Sequence, residues 1–195
     1  KYLAYELEKK LHKNGFTDTW VFKANLSSSR ALRDITRQHG GEYHASAVGE
    51  VNVVAKMKET NAVIGGEGSG GVIYPAAHHG RDALVGIALF LSYMARTGKR
   101  PSELKEMYPA YFMAKQKVEL TRGMDTDAVL QAIKKRFSDQ DLTEIDGVKI
   151  DFPDKWVHLR KSNTEPIIRV YSEARSEHEA KQIGEQIISM IREIT

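Results

Sequence analysis

The sequence predicts an α/β protein: an α/β sandwich domain with a mixed sheet, followed by a smaller α+β domain with an antiparallel sheet. Two observations carry this. Strand and helix patterns alternate through the first hundred residues, which is the signature of a layered, largely parallel sheet. After Met107-Tyr108-Pro109-Ala110 the alternation stops, and extended stretches collect between two helical patterns. The boundary therefore falls near Pro109, giving domains over residues 1–110 and 111–195.

Each element has a local reason. Tyr2, Leu3, Tyr5, Leu7 and Leu11 read as a helix that ends at Asn14-Gly15. Thr19 to Ala24 reads as a strand. Ser27-Ser28-Ser29 can cap a helix through Leu32, Ile35 and Thr36, stopped by Gly40-Gly41. Glu42 to Ala47 is a second strand, and Val51, Val54 and Met57 are expected on one face of the next helix. Ala62 to Gly65 is a third strand, leading into Gly65-Gly66-Glu67-Gly68-Ser69-Gly70-Gly71. Val72-Ile73-Tyr74 is extended and stops at Pro75. A helix runs from Arg81 to Thr97, and a short one opens at Pro101. In the second half, Tyr111 to Leu120 reads as a strand. Asp125 to Phe137 carries Val129, Leu130 and Ile133 at helical spacing, with Asp125 or Thr126 as cap. Ile145 and Val148 to Phe152 flank Asp146-Gly147, the strongest short-range hairpin signal in the chain. Trp156 to Arg160 and Ile167 to Ser172 flank a polar loop. A last helix, Ser176 to Ile194, lines up Ala180, Ile183, Ile187, Ile188 and Ile191.

Composition narrows the function classes. Of 195 residues, 41% are apolar, enough for a packed core rather than a disordered chain. The most apolar run, Ala83 to Ala95, is too short for a transmembrane helix and is interrupted by Gly86 and Ser92. The N-terminus lacks a signal-peptide layout. There is no cysteine, which excludes disulfides, thiolate metal sites and cysteine nucleophiles. The plain reading is a cytoplasmic protein. Net charge is +3 with both signs interspersed, and neither a basic stripe nor a nucleic-acid motif is present. A small anion held by a few local cations suits this balance; nucleic-acid and membrane partners do not.

Two loops can carry chemistry. In Gly65 to Gly71, glycines let the backbone approach a ligand closely. Glu67 and Ser69 supply the only polar side chains there. A carboxylate accepts hydrogen bonds and a hydroxyl does both, which suits adjacent sugar hydroxyls. The bland alternative is a tight glycine turn between two strands. The run also matches G-x-G-x-x-G at Gly66, Gly68 and Gly71, but a dinucleotide fingerprint must open a helix at once, and an extended Val72-Ile73-Tyr74-Pro75 follows instead. A kinase loop would need V-A-I-K nearby, and Tyr74-Pro75-Ala76-Ala77 stands in its place.

The second loop is Arg160-Lys161-Ser162-Asn163-Thr164-Glu165-Pro166, followed by Arg169. Arginine forks bind phosphate oxygens bidentately, and hydroxyls and backbone N–H groups fill the remaining lone pairs. Asn163 tolerates positive φ, so the chain can curl into an anion-holding nest. Glu165 is expected to turn away and brace an arginine or the loop's backbone. The bland alternative is a solvated hairpin tip. His78-His79-Gly80-Arg81-Asp82 lacks a second ligand cluster at metal spacing, and reads as a solvated loop at a helix start. Arg30 and Arg33 are expected on a solvated helix face.

These residues resemble a known family. Gly66-Glu67-Gly68-Ser69-Gly70 resembles the sugar-binding loop of the α-D-phosphohexomutases. Arg160-Lys161-Ser162-Asn163-Thr164-Glu165-Pro166 with Arg169-Val170 resembles their phosphate-binding loop. Val48 to Val53 and Gly80-Arg81-Asp82 also look like family features. The resemblance covers nearly the whole chain and implies the third and fourth of four family domains. The serine loop and the Asp-rich Mg²⁺ loop of the first two domains have no counterpart here. The chain is therefore expected to be the substrate-binding half of a longer enzyme and inactive alone, with Mg²⁺ and the N-terminal domains belonging to the parent. The alternative is a stand-alone, non-catalytic sugar-phosphate-binding module. The resemblance implies phosphoryl exchange through a phosphoserine and a bisphosphorylated sugar. It assigns Glu67 and Ser69 to sugar hydroxyls, and Arg160, Ser162, Asn163, Thr164 and Arg169 to the phosphate of a hexose phosphate or bisphosphate. Two positions depart from the common pattern. Gly71 stands where many members have His, which opens the question of sugar preference, and Asn163 stands where many have Gly.

Overall fold

A computed structural model describes residues 21–120, 124–162 and 165–194. The helix expected over residues 2–14 lies outside them. The chain divides into two compact units, Lys1–Ala110 and Tyr111–Thr195.

The first unit runs β1 (Val21–Asn25), α1 (Arg30–Gln38), β2 (Glu42–Ser46), α2 (Glu50–Glu59), β3 (Ile64–Gly66), β4 (Val72–Ile73), α3 (Ala83–Thr97) and α4 (Pro101–Glu106). The sheet order is β2-β1-β3-β4. β1 pairs in parallel with β2 and β3, and β3 pairs antiparallel with β4, so the sheet is mixed. Helix starts follow capping chemistry. Ser29 Oγ accepts from the Ala31 N–H at 3.2 Å at the start of α1. Asp82 accepts from the Val85 N–H at 2.9 Å at the start of α3. The helix read as opening at Arg81 thus opens at Ala83, with Asp82 as its cap.

Two readings of surface and core change. Val51, expected on the packed face of α2, is 80% exposed and Val53 is buried in its place, while Met57 is buried and Val54 partly buried as expected. Val53 and Met57 are four residues apart, a stacked pair on one side of a helix, and Val51 lies about 200° away from Val53. Arg30 is buried, not solvated. It occupies the first turn of α1, next to the buried Ser28, on the side that packs. Arg33 is half-buried beside Asp34. Lys23, in the middle of β1, is also buried, and its Nζ has no hydrogen-bond partner among the described residues. Desolvation, with repulsion from Lys56, brings its pKa down to about 8.

The second unit runs β5 (Phe112–Glu119), α5 (Thr126–Arg136), β6 (Asp141–Thr143), β7 (Val148–Asp151), β8 (Trp156–Lys161), β9 (Ile167–Ala174) and α6 (Glu177–Ile194). All its pairings are antiparallel, in the order β5-β9-β8-β7-β6. Strand residues alternate between two faces. Val118, Ile168, Val170, Leu159, Val157 and Ile150 form the core face, closed by Ile133 of α5 and Ile187 and Ile191 of α6. The apolar stripe read on α6 is buried as expected. Ile145 is not in a strand. β6 ends at Thr143, so a longer loop connects β6 to β7, and Ile145 is 55% exposed in it. Gly147 still takes the left-handed conformation expected of the turn, with φ +71°.

Candidate functional site

In the first unit the parallel strands β1, β2 and β3 end together at Asn25, Ser46 and Gly66. The chain passes from β1 to β2 on one side, then crosses to β3 on the other. Ligands bind beyond the carboxyl ends of strands at such a switch point. Both loops leaving it meet there: a Cβ on Gly68 would lie 3.2 Å from Ser28 Cα and 3.3 Å from the Ser27 carbonyl oxygen. The turn after β3 is closed by Gly70 N–H to the Glu67 carbonyl and Glu67 N–H to the Gly71 carbonyl, each 3.0 Å. Ser69 is exposed at its tip.

Glu67 is held rather than free. Its Oε1 accepts from Asn25 Nδ2 at 3.1 Å and from the Gly49 N–H at 3.2 Å, and its Oε2 pairs with Arg81 Nη1 at 3.2 Å. Its side chain is 8% exposed. Arg81 in turn donates from Nε to Glu50 Oε2 at 2.7 Å and from its backbone N–H to Glu50 Oε1 at 2.9 Å. These two donors, backbone first, hold the Glu50 carboxyl below the usual carboxylate range. A carboxylate has about four acceptor positions, so three partners leave Glu67 capacity for one more donor. Gly71 has a packing reason: its missing side chain leaves the space that Arg81 Cγ and Cδ occupy. The sequence pointed to Glu67 and Ser69, and its Val48–Val53 and Gly80-Arg81-Asp82 stretches looked like family features, but nothing in it showed that Asn25, Gly49, Glu50 and Arg81 frame Glu67. The available signal was that Glu50 and Arg81 fall within those two stretches.

In the second unit, Arg160 on β8 and Arg169 on β9 are direct cross-strand partners and share the polar face. Ser162 continues the ladder, its N–H donating to the Ile167 carbonyl at 3.0 Å. Asn163 and Thr164 lie outside the described residues. Lys161 points to the opposite face and pairs with Asp127 of α5 at 2.8 Å, so it is drawn away from the arginines. Arg160 Nε pairs with Asp146 at 2.9 Å, both side chains about three-quarters buried. The Asp146 carbonyl contacts His158 Nε2 at 2.6 Å. His158 is buried, and desolvation lowers its pKa to about 4, so at neutral pH the ring is uncharged and donates this hydrogen bond. The Asp146-Gly147 turn is therefore a buttress for Arg160, a role its hairpin signal did not reveal. Glu165 is exposed and lines the same trough as Arg169 instead of turning away.

A family model described as phosphoglucomutase/phosphomannomutase, alpha/beta/alpha domain III matches residues 2–111, and one described as the C-terminal domain of the same enzymes matches residues 116–190. The chain belongs to the phosphoglucomutase/phosphomannomutase family. A phosphoglucomutase/phosphomannomutase of Thermococcus kodakarensis is 38% identical over 170 residues, 86% of this chain and 37% of the relative. A probable phosphoglucosamine mutase of Methanopyrus kandleri is 31% identical with the same coverage. The chain thus spans well under half the length of these relatives. Among solved structures, a phosphoglucomutase/phosphomannomutase family protein from Burkholderia thailandensis superposes with a TM-score of 0.74 at 23% identity, covering 98% of this chain and 41% of that one. An Aspergillus fumigatus N-acetylphosphoglucosamine mutase in complex with glucose 1,6-bisphosphate gives 0.67 at 15%, covering 99% and 42%. At these identities the structures establish the fold, and it is the α/β architecture expected.

Among the described residues no group of three or more His, Asp or Glu could hold a metal ion. No helix among them is long and apolar enough to cross a membrane.

Proposed function

We infer that this chain is the substrate-binding half of a phosphohexomutase, which interconverts hexose 1-phosphate and hexose 6-phosphate through a phosphoserine and a bisphosphorylated sugar. The observation that carries the reading is the pair Arg160 and Arg169, held directly opposite on one face. Like charges in that position repel, and Asp146 offsets only one of them. A dianionic phosphate resolves the repulsion and accepts both forks. Ser162, Asn163 and Thr164 complete this clamp, while the remaining acceptor position of Glu67 and the exposed hydroxyl of Ser69 serve sugar hydroxyls. The parent's phosphoserine and metal loop belong to its other domains, so this chain binds and orients without transferring. Binding energy at the phosphate that stays put is then used to position the reacting end. Cytoplasmic location fits a pool of soluble sugar phosphates.

Incubating the 195-residue chain with glucose 1-phosphate and a trace of glucose 1,6-bisphosphate is expected to yield no glucose 6-phosphate above the uncatalysed background. Turnover that scales with protein concentration would show that the chain carries its own phosphoryl-transfer group and is more than a binding half.

A further inference from the structure

The polar face of the second sheet carries a third cation beside the two arginines. Lys117 on β5 is the direct cross-strand partner of Arg169, which is itself the partner of Arg160. Directly opposed residues of antiparallel strands share a face, with Cβ atoms about 5 Å apart. The three side chains therefore form a line across three adjacent strands, β5, β9 and β8. Lys117 and Arg169 also line a trough of about 320 Å³, together with Lys115, Tyr171 and Glu165.

We propose that Lys117 belongs to the anion site, and that Lys117, Arg169 and Arg160 together hold a phosphoryl group on the polar face of this sheet. The proposal rests on the phosphate-clamp reading above and extends it from the loop onto the strands.

The charges around the row decide whether it is available. Among the described residues Lys117 Nζ pairs with Glu119, at 3.3 Å, and the two side chains are 60% and 76% exposed. An exposed pair of this kind is weak and yields readily to a dianion. Lys115 lies over the Tyr171 ring within the same trough, its Nζ 5.5 Å from the ring centre. Asp146 is committed to Arg160 at the far end of the row. Glu165 is the one carboxylate lining the trough, and it opposes an anion there. Of the three carboxylates near the row, Glu119 and Asp146 are each set against one cation and Glu165 opposes an anion, so the net charge is small and the site rests on the direction of its three donors. A phosphoryl group lying along the row would accept from Arg169 at its centre and reach a donor on either side.

The probe is inorganic phosphate, titrated into the full 195-residue chain and followed by calorimetry. Lys117→Gln is expected to weaken phosphate binding about three- to fivefold, the range of one partly screened charge contact. Lys117→Arg should retain affinity, and Glu165→Gln should tighten it by a similar factor. Lys181→Gln, on α6, changes net charge equally but lies off the polar face, and should leave affinity unchanged. Glucose 1-phosphate in place of phosphate should show the same Lys117 dependence, since the contact is to the phosphoryl group and not to the sugar. If Arg160→Ala weakens phosphate binding while Lys117→Gln does not, the extension is wrong and the loop clamp stands. Equal losses from Lys117→Gln and Lys181→Gln would reduce the effect to net charge and also overturn it. No phosphate binding by the wild-type chain would overturn both readings.

Discussion

Replacing Gly147 with valine is expected to destabilise the second unit by about 3 kcal/mol or more, among the largest effects of any single change near the site. Two costs add. A β-branched residue forced to φ +71° costs on the order of 1–3 kcal/mol. Its Cβ would also collide with the Leu159 carbonyl oxygen and lie 3.2 Å from Arg160 Cα, and overpacking of that kind costs about 1–3 kcal/mol more. Because the neighbouring Asp146 holds both Arg160 and His158, relief of the clash has to move the buttress or β8 itself. Urea unfolding of wild type and variant measures the difference. A loss under about 1 kcal/mol would mean that the turn is plastic and does not position Arg160.

Arg160→Ala is expected to weaken inorganic phosphate binding roughly ten- to a hundredfold, equivalent to about 1.5–3 kcal/mol for a charge-assisted bidentate contact. Arg160 is three-quarters buried and pinned through Nε, so its terminal nitrogens are presented with little side-chain entropy left to lose. The variant leaves Asp146 without its cation, which adds a modest stability loss. Affinity should therefore be measured well below the unfolding midpoint. Arg160→Lys is expected to recover charge but not the fork, and to fall between the two. An affinity for phosphate unchanged in Arg160→Ala would remove this residue from the clamp.

Much of the fold was legible because punctuation and period agree. Gly40-Gly41, Pro75 and Pro101 separate segments whose apolar spacing is either alternate or helical, and the structure follows them within a few residues. What failed was the choice of face where the stripe is thin. α2 has three valines within four positions, and only packing against the sheet decides that Val53 rather than Val51 is inside. Arg30 failed for the opposite reason: composition says a cation is solvated, while its place beside Ser28 buries it.

The candidate site was legible as loops but not as pairings. Glu67 and Arg160 stand out in local sequence. Their partners, Asn25, Gly49 and Arg81 for Glu67 and Asp146 for Arg160, come from other strands and turns, one of them more than forty residues away, and Lys117 meets Arg169 only through the register of β5 on β9. Cross-strand register is a property of the folded sheet, so neither the Lys117–Arg169–Arg160 row nor the commitment of Lys161 to α5 is written in any short stretch of chain. Glu165 was misread on the same ground, since its direction depends on where β9 starts.

The central proposal is that each unit carries a recognition element for a hexose phosphate, the Glu67–Ser69 turn for the sugar in the first and the arginine clamp for the phosphate in the second. Calorimetric titration of the wild-type chain with glucose 1-phosphate, using inorganic phosphate as reference, tests it most directly. The account predicts that glucose 1-phosphate binds about tenfold or more tighter than phosphate, the equivalent of one or two hydrogen bonds to sugar hydroxyls. Equal affinities would contradict it, leaving an anion site in the second unit and a structural glycine turn in the first.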